Sequence, residues 1–260
     1  MSEPTETGRL PGTVLPPAKP APTPDFAAFG PVEARPLSRV QILVAAAMEK
    51  SWTSIPHVTH FEEADMTALD SLRLRQAAQT GRKVSLLPFF VKAAVAALKK
   101  FPEVNASLDP VGKALVLKQY YHIGVAVDVA GGLLVPVVRD ADKKPVEDIE
   151  REIAELARLA RTKGLPMAKM SGGSFTISSL GAIGGTGFTP IINAPELAIL
   201  GISRAYRKAF EAKDGIEWKT VLPFSLSYDH RAINGALAGN FCAAFAAFLA
   251  KPEEMIARPV

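Results

Sequence analysis

The chain has 260 residues, of which 48% are apolar, 22% charged and 7% aromatic. That is long enough to bury a sizeable core and unlike a disordered, collagen-like or coiled-coil composition. Thirty Lys and Arg against 26 Asp and Glu leave a net charge of +4, and the basic residues are scattered rather than striped, which argues against nucleic acid as a partner. A single cysteine, Cys242, excludes an internal disulfide and a cysteine-built zinc site and favours a reducing compartment.

Nine of the 21 prolines fall within the first 36 residues. Residues 1–36 are therefore expected to be a flexible Pro/Ala-rich linker, and residues 37–260 one folded domain. The N-terminus has no basic segment followed by an apolar one, so a cytoplasmic location is expected. The uncharged run over 232–250 is rich in alanine and holds Asn234 and Asn240, which makes it a buried helix rather than a membrane span.

Ser38 is expected to cap a helix over 39–52, where Val40, Leu43, Val44, Ala47 and Met48 share one face. Further helices are predicted from 66 to 80, 86 to 100, 144 to 163 and 235 to 249. The third begins around Pro88 and stops before Pro102; the fourth has acids early and bases late, matching the helix dipole. Alternation at Ile123, Val125, Val127 and Val129, then Gly131-Gly132 and a second apolar run to Val138, predicts a β-hairpin. More strands are predicted over 174–180, 188–193, 197–206 and 217–228. Helices in blocks, not in strict alternation with strands, favour an α+β fold.

The glycines at 181, 184, 185 and 187 do not have dinucleotide spacing, and no P-loop is present. Their conformational freedom suits either a plain connection or close approach to an extended ligand. His57 and His60 lack an identifiable third metal ligand, so no metal is expected. His230 stands out because it lies in Ser227-Tyr228-Asp229-His230-Arg231-Ala232-Ile233-Asn234-Gly235, where an apolar strand meets the last helix. A rigid junction of that kind can present a side chain to a cleft.

SYDHRAINGA resembles the His-x-x-x-Asp-Gly signature of the dihydrolipoamide acyltransferases, the E2 components of 2-oxo acid dehydrogenase complexes, and of the related chloramphenicol acetyltransferases. SRVQILVAAAMEKSWTSIPHVTHFEEADMTAL, IGVAVDVAGGLLVPVVRDAD and GGSFTISSLGAIGGTGFTPIINAPELAILGIS extend the resemblance over about residues 37–250. It implies a chloramphenicol-acetyltransferase-like fold, a mixed sheet flanked by helices. It also implies a homotrimer with active sites between subunits, extendable to a cubic or dodecahedral core. Coenzyme A is the implied substrate, with a lipoyl group supplied by another domain or chain and E1 and E3 components as partners. A lipoyl domain and a peripheral subunit-binding domain are not expected in this chain.

On this resemblance His230 is the base that takes the thiol proton, and Ser178 the hydroxyl that meets the tetrahedral oxyanion. Asn234 stands where most relatives carry aspartate; it can hydrogen-bond but carries no charge, and it is equally placed to cap the last helix. Asp128, Asp229 and Arg231 are supporting candidates, with Arg231 expected to pin the loop. Phe188 and Gly181 are candidates for the substrate channel. The basic residues that would hold coenzyme A phosphates are not distinguishable in the sequence. The closest match in look is to the acetyl-transferring pyruvate dehydrogenase members. A non-catalytic core scaffold and a free-standing coenzyme A acyltransferase with a small acceptor remain as alternatives. A serine hydrolase is disfavoured, because ISSLG is not a GxSxG elbow.

Overall fold

The structure is a computed structural model, and it describes residues 24–253. Most of the predicted linker and the last seven residues, with the terminal Arg-Pro-Val, lie outside that range. The chain divides into a unit ending at Pro36 and a unit from Leu37 onward. In the first, the Asp25 carboxylate accepts from the Ala27 N–H (3.1 Å) and caps a short 3-10 turn, Phe26–Phe29.

The second unit is built on a seven-stranded mixed sheet. Its strands are β1 (His57–Asp65), β4 (Ile123–Val125), β7 (Val137–Val138), β8 (Phe175–Ser179), β9 (Ala198–Ile202), β10 (Tyr206–Ala212) and β11 (Gly215–Asp229). The order is β1-β11-β9-β8-β4-β7, with β10 hairpinned onto β11. Strands β4, β8 and β9 run parallel, while β11 pairs antiparallel with both β1 and β9. Two small hairpins stand apart, β2 (Ala106–Leu108) with β3 (Leu115–Leu117), and β5 (Val127–Val129) with β6 (Gly132–Leu134).

Local chemistry sets the helix ends. Helix α1 (Arg39–Ser54) opens on a capping box in which Ser38 Oγ accepts from Gln41 N–H and Gln41 Oε1 accepts from Ser38 N–H. Helix α2 (Thr67–Thr80) ends at Gly81 in the left-handed region, φ 64°. Helix α3 (Leu87–Lys100) carries Pro88 in its first turn, where the missing N–H costs nothing. Helix α4 (Val146–Thr162) has Glu147 and Asp148 in the first turn and Arg161 in the last.

Helices α3 and α5 (Gly235–Ala250) form the centre of the core. Along α3 every residue from Pro88 to Leu98 is buried, including Lys92, whose Nζ donates to the carbonyls of Asp142 and Lys144. That pairing is what makes an ammonium tolerable there. On α5, Phe241 and Phe245 meet Phe101, Phe175 and Phe224 in edge-on or tilted pairs. No helix among the described residues is long and apolar enough to cross a membrane.

The sequence expectations need three corrections here. The run over 188–193 is not a strand: the segment from Phe188 to Leu197 crosses the face of the sheet, bonded to Ser225 and His57 side chains, and β9 is already paired on both edges by β8 and β11. The strand predicted over 197–206 stops at Ile202 and a new one starts at Tyr206. The predicted central hairpin splits, because β4 and β7 join the main sheet while β5 and β6 pair with one another.

Candidate active site

The β11–α5 junction is held from several sides. Asp229, 1% exposed, receives the Arg231 backbone N–H (3.0 Å) and a two-pronged grip from the Arg231 guanidinium (2.6 to 3.1 Å). This hydrogen bonding raises the Arg231 pKa. Arg231 therefore braces the turn through its bonds to Asp229. The His230 N–H donates to the Pro56 carbonyl (3.1 Å), and the exposed imidazole lies 5.9 Å from the Tyr228 ring. Neither ring nitrogen of His230 has a hydrogen-bond partner among the described residues. Asn234 is the cap of α5, its Oδ1 accepting from Leu237 N–H at 2.9 Å. An asparagine side chain serves as this cap without carrying charge.

Ser178 sits on β8 opposite Gly201 of β9, which in turn faces Ser225 of β11 and, beyond it, Phe61 of β1. These four share one face of the sheet, the face away from α5. The ring of Phe188 lies on this face, so close to Gly201 that a Cβ there would stand 2.9 Å from its Cζ. The Phe188 carbonyl accepts from Ser225 Oγ (2.6 Å), and a Cβ on Gly187 would stand 3.2 Å from the Phe61 ring. Ser178 is half-buried beside this aromatic patch. Its hydroxyl has no hydrogen-bond partner among the described residues, so its proton is available to a ligand.

Ser178 and His230 do not meet within one chain. His230 lies five residues beyond Ser225, and Ser178 two strands across from it. At about 3.3 Å per residue along a strand and about 4.8 Å between strands, their Cα atoms are about 19 Å apart. Groups acting on one reacting carbonyl and its attacking thiol must lie within hydrogen-bond reach of those atoms, and this span is too long for that.

Each end of the sheet has its own hollow. At the Ser178 end a cleft of about 670 Å³ is lined by Ser179, Gly181, Ala182, Leu86 and Phe90, with Arg73, Lys83 and Arg204 as its charged residues. Arg204 also donates to the carbonyls of Gly181 and Ala182. Among the described residues no carboxylate lines this cleft, although Arg73 is paired with Asp70 just outside it (2.7 Å), so the lining favours an anionic ligand chiefly through Lys83 and Arg204. At the His230 end a hollow of about 360 Å³ is bordered by Asp229, Arg231, Ile55 and residues 109–112.

Other expected site residues lie elsewhere. Asp128 is exposed on β5, and its carboxylate makes no hydrogen bond among the described residues; its carbonyl accepts from Arg161. His57 and His60, three residues apart on β1, face opposite sides of the strand and cannot share an ion. His122 Nδ1 accepts from the Asp140 N–H.

One polar cluster had no sequence signal. Glu196, 3% exposed, lies near the end of the segment that covers the sheet, with Oε1 near Asn193 Nδ2 (3.4 Å), and burial pushes its carboxyl up to about 7. Burial also lowers the pKa of Lys118, partly offset by the charge of Glu196. Gly201 did carry a signal, since a lone glycine inside an apolar strand marks a close approach. Arg73, Lys83 and Arg204 come from three separate stretches and share no spacing.

The architecture is that of the chloramphenicol acetyltransferase fold: one such enzyme superposes with a TM-score of 0.54 at 15% identity, over 78% of this chain and 94% of that one. The chain itself belongs to the family of 2-oxoacid dehydrogenases acyltransferase catalytic domains, whose model matches residues 29–257. It is 50% identical over 229 residues to the dihydrolipoyllysine-residue acetyltransferase component of the pyruvate dehydrogenase complex of Cupriavidus necator, and 48% identical over 225 residues to that of Pseudomonas aeruginosa. These stretches cover 87% and 85% of this chain, and the chain spans about two fifths of each relative, 41%. Among solved structures, the dihydrolipoamide acetyltransferase of Azotobacter vinelandii superposes with a TM-score of 0.88 at 46% identity, covering 92% of this chain and 99% of that chain. The cubic core of a pyruvate dehydrogenase multienzyme complex gives the same values.

Proposed function

We propose that this chain is the acetyltransferase core of a pyruvate dehydrogenase-type E2, moving an acetyl group between dihydrolipoamide and coenzyme A. His230 takes the proton from the attacking thiol, and the sulfur adds to the thioester carbonyl. The oxyanion that forms is met by the Ser178 hydroxyl. When it collapses, the dihydrolipoyl thiolate leaves and is protonated. A neutral imidazole has a reference pKa near 6.5, suited to this exchange around neutral pH. A general base contributes about 100- to 10,000-fold and an oxyanion donor about 100- to 1,000-fold.

The observation that carries the reading is the pairing of Ser178 and His230 by spacing but not by place. The Azotobacter structure concerns the role of a serine, a histidine and an asparagine in catalysis, spaced 52 and four residues apart. Ser178, His230 and Asn234 have the same spacing. Since one chain keeps the first two about 19 Å apart, the site is made where two copies meet, His230 from one and Ser178 from the other. The exposed apolar side chains Trp52, Phe61, Ile216 and Trp218 support such contacts. The assembly is a homotrimer, extendable to a larger core.

Coenzyme A is the ligand we assign to the 670 Å³ cleft, with Lys83, Arg73 and Arg204 toward its phosphates. The lipoyl group comes from another domain or chain, and E1 and E3 components act with it. Replacing His230 by Ala is expected to lower acetyl transfer from S-acetyldihydrolipoamide to coenzyme A by about 100-fold or more. Unchanged turnover would contradict the assignment.

A further inference from the structure

Residues 188–197 cross the sheet face between the two halves of the site without joining the sheet. They are tied to β11 at both ends, where the Phe188 carbonyl accepts from Ser225 Oγ (2.6 Å) and the Leu197 carbonyl from the Asp229 N–H (2.8 Å). Between these, the Ile192 N–H donates to His57 Nε2 on β1 at 3.0 Å.

The bonding of the ring fixes its proton. Nδ1 lies 2.8 Å from the Ile55 carbonyl oxygen, which can only accept, so Nδ1 carries the hydrogen. Nε2 faces an N–H, so it presents its lone pair. The Trp52 ring of α1 lies 5.5 Å away. Asp229, the register partner of His57 on β11, gives its carboxylate to Arg231. Ile192 is fully buried with Ile55 and Ile199, so little water is at hand to replace a lost bond to its N–H. Pro56, the residue before His57, accepts from the His230 N–H.

We propose that His57, in its neutral Nδ1–H form, is a positioning residue for acetyl transfer: it clamps Ile192 to the Ile55–His57 corner and so holds residues 188–197 in register between the Phe188 wall beside Ser178 and the turn that carries His230. The proposal rests on the functional reading above. Any generic side chain could fill space at 57, but only one that both donates to Ile55 and accepts from Ile192 keeps the clamp.

The test is hydrogen–deuterium exchange of the assembled protein, read on peptides covering 188–197, together with steady-state kinetics. His57→Leu is expected to speed exchange there about five- to tenfold, leave the α3 peptides unchanged and lower kcat. His57→Gln, whose amide can both donate and accept, is expected to restore both. Unchanged exchange in the Leu variant, or faster exchange with unaltered turnover, would overturn the proposal. If His57→Leu fails to fold, ¹⁵N-histidine spectra of the wild type decide, since a proton on His57 Nε2 at neutral pH would overturn it as well. A wild type that shows no acetyl transfer would instead count against the functional reading, before any variant is made.

Discussion

The Phe188 ring rests directly on Gly201, the residue paired with Ser178 across the β8–β9 ladder. A methyl group at 201 would stand 2.9 Å from the ring and 2.6 Å from Ser225 Oγ, which no packing tolerates without movement. Gly201→Ala is therefore expected to push Phe188 off the sheet and break its carbonyl bond to Ser225. Overpacking of this kind costs about 1 to 3 kcal/mol. Chemical denaturation should register that loss, and acetyl transfer should fall with it. A variant as stable and active as the wild type would show that the Phe188 wall has no part in the site.

Glu196 makes stability depend on pH in a definite direction. Burial raises its folded-state pKa to about 7, above the ordinary carboxylate value of 4.5. The folded chain then holds a proton that the unfolded chain gives up. This group's contribution is constant below about pH 4.5, declines as pH rises toward 7, and stays at its lowest value above that. The shift corresponds to at most about 3 kcal/mol. Glu196→Gln should remove this slope, so that unfolding curves taken from pH 5 to 8 show the variant gaining on the wild type as pH rises. Parallel curves would mean that the carboxyl titrates normally.

The cationic cleft can be probed with the ligand proposed for it. Lys83 lines it and is exposed, so replacing it by Ala should leave the fold intact. The expected result is a KM for coenzyme A raised about three- to tenfold with kcat little changed. The increase should shrink when dephospho-coenzyme A is used, if Lys83 reaches the 3′-phosphate. An unchanged KM for coenzyme A would place the phosphates elsewhere.

What could be read from the sequence was what lies contiguous in it. The ends of α1 and α3 follow from Ser38 and from Pro88 with Pro102, and the junction from Ser227 to Gly235 carries its strand, turn and helix cap within nine residues. Strand β1 was not legible because His57–Asp65 mixes polar and acidic residues on both faces, and only pairing with β11 makes it a strand. Residues 188–193 look like a strand by composition, yet no sheet edge is free beside them; their backbone groups bond to Ser225 and His57 side chains instead. The family resemblance pointed to Ser178 and His230 without the sheet register, and the register is what separates them. Glu196 and the cations of the cleft depend on long-range packing that no local pattern encodes.

The central claim is that Ser178 and His230 act on one substrate from two chains. Mixing inactive Ser178→Ala and His230→Ala chains through unfolding and reassembly tests it directly. If each site takes its serine from one chain and its histidine from another, random mixed assemblies hold intact sites in up to about a quarter of positions, and acetyl transfer returns to that fraction of wild type. If both groups act within one chain, no assembly holds an intact site, and a mixture that remains inactive would contradict the account.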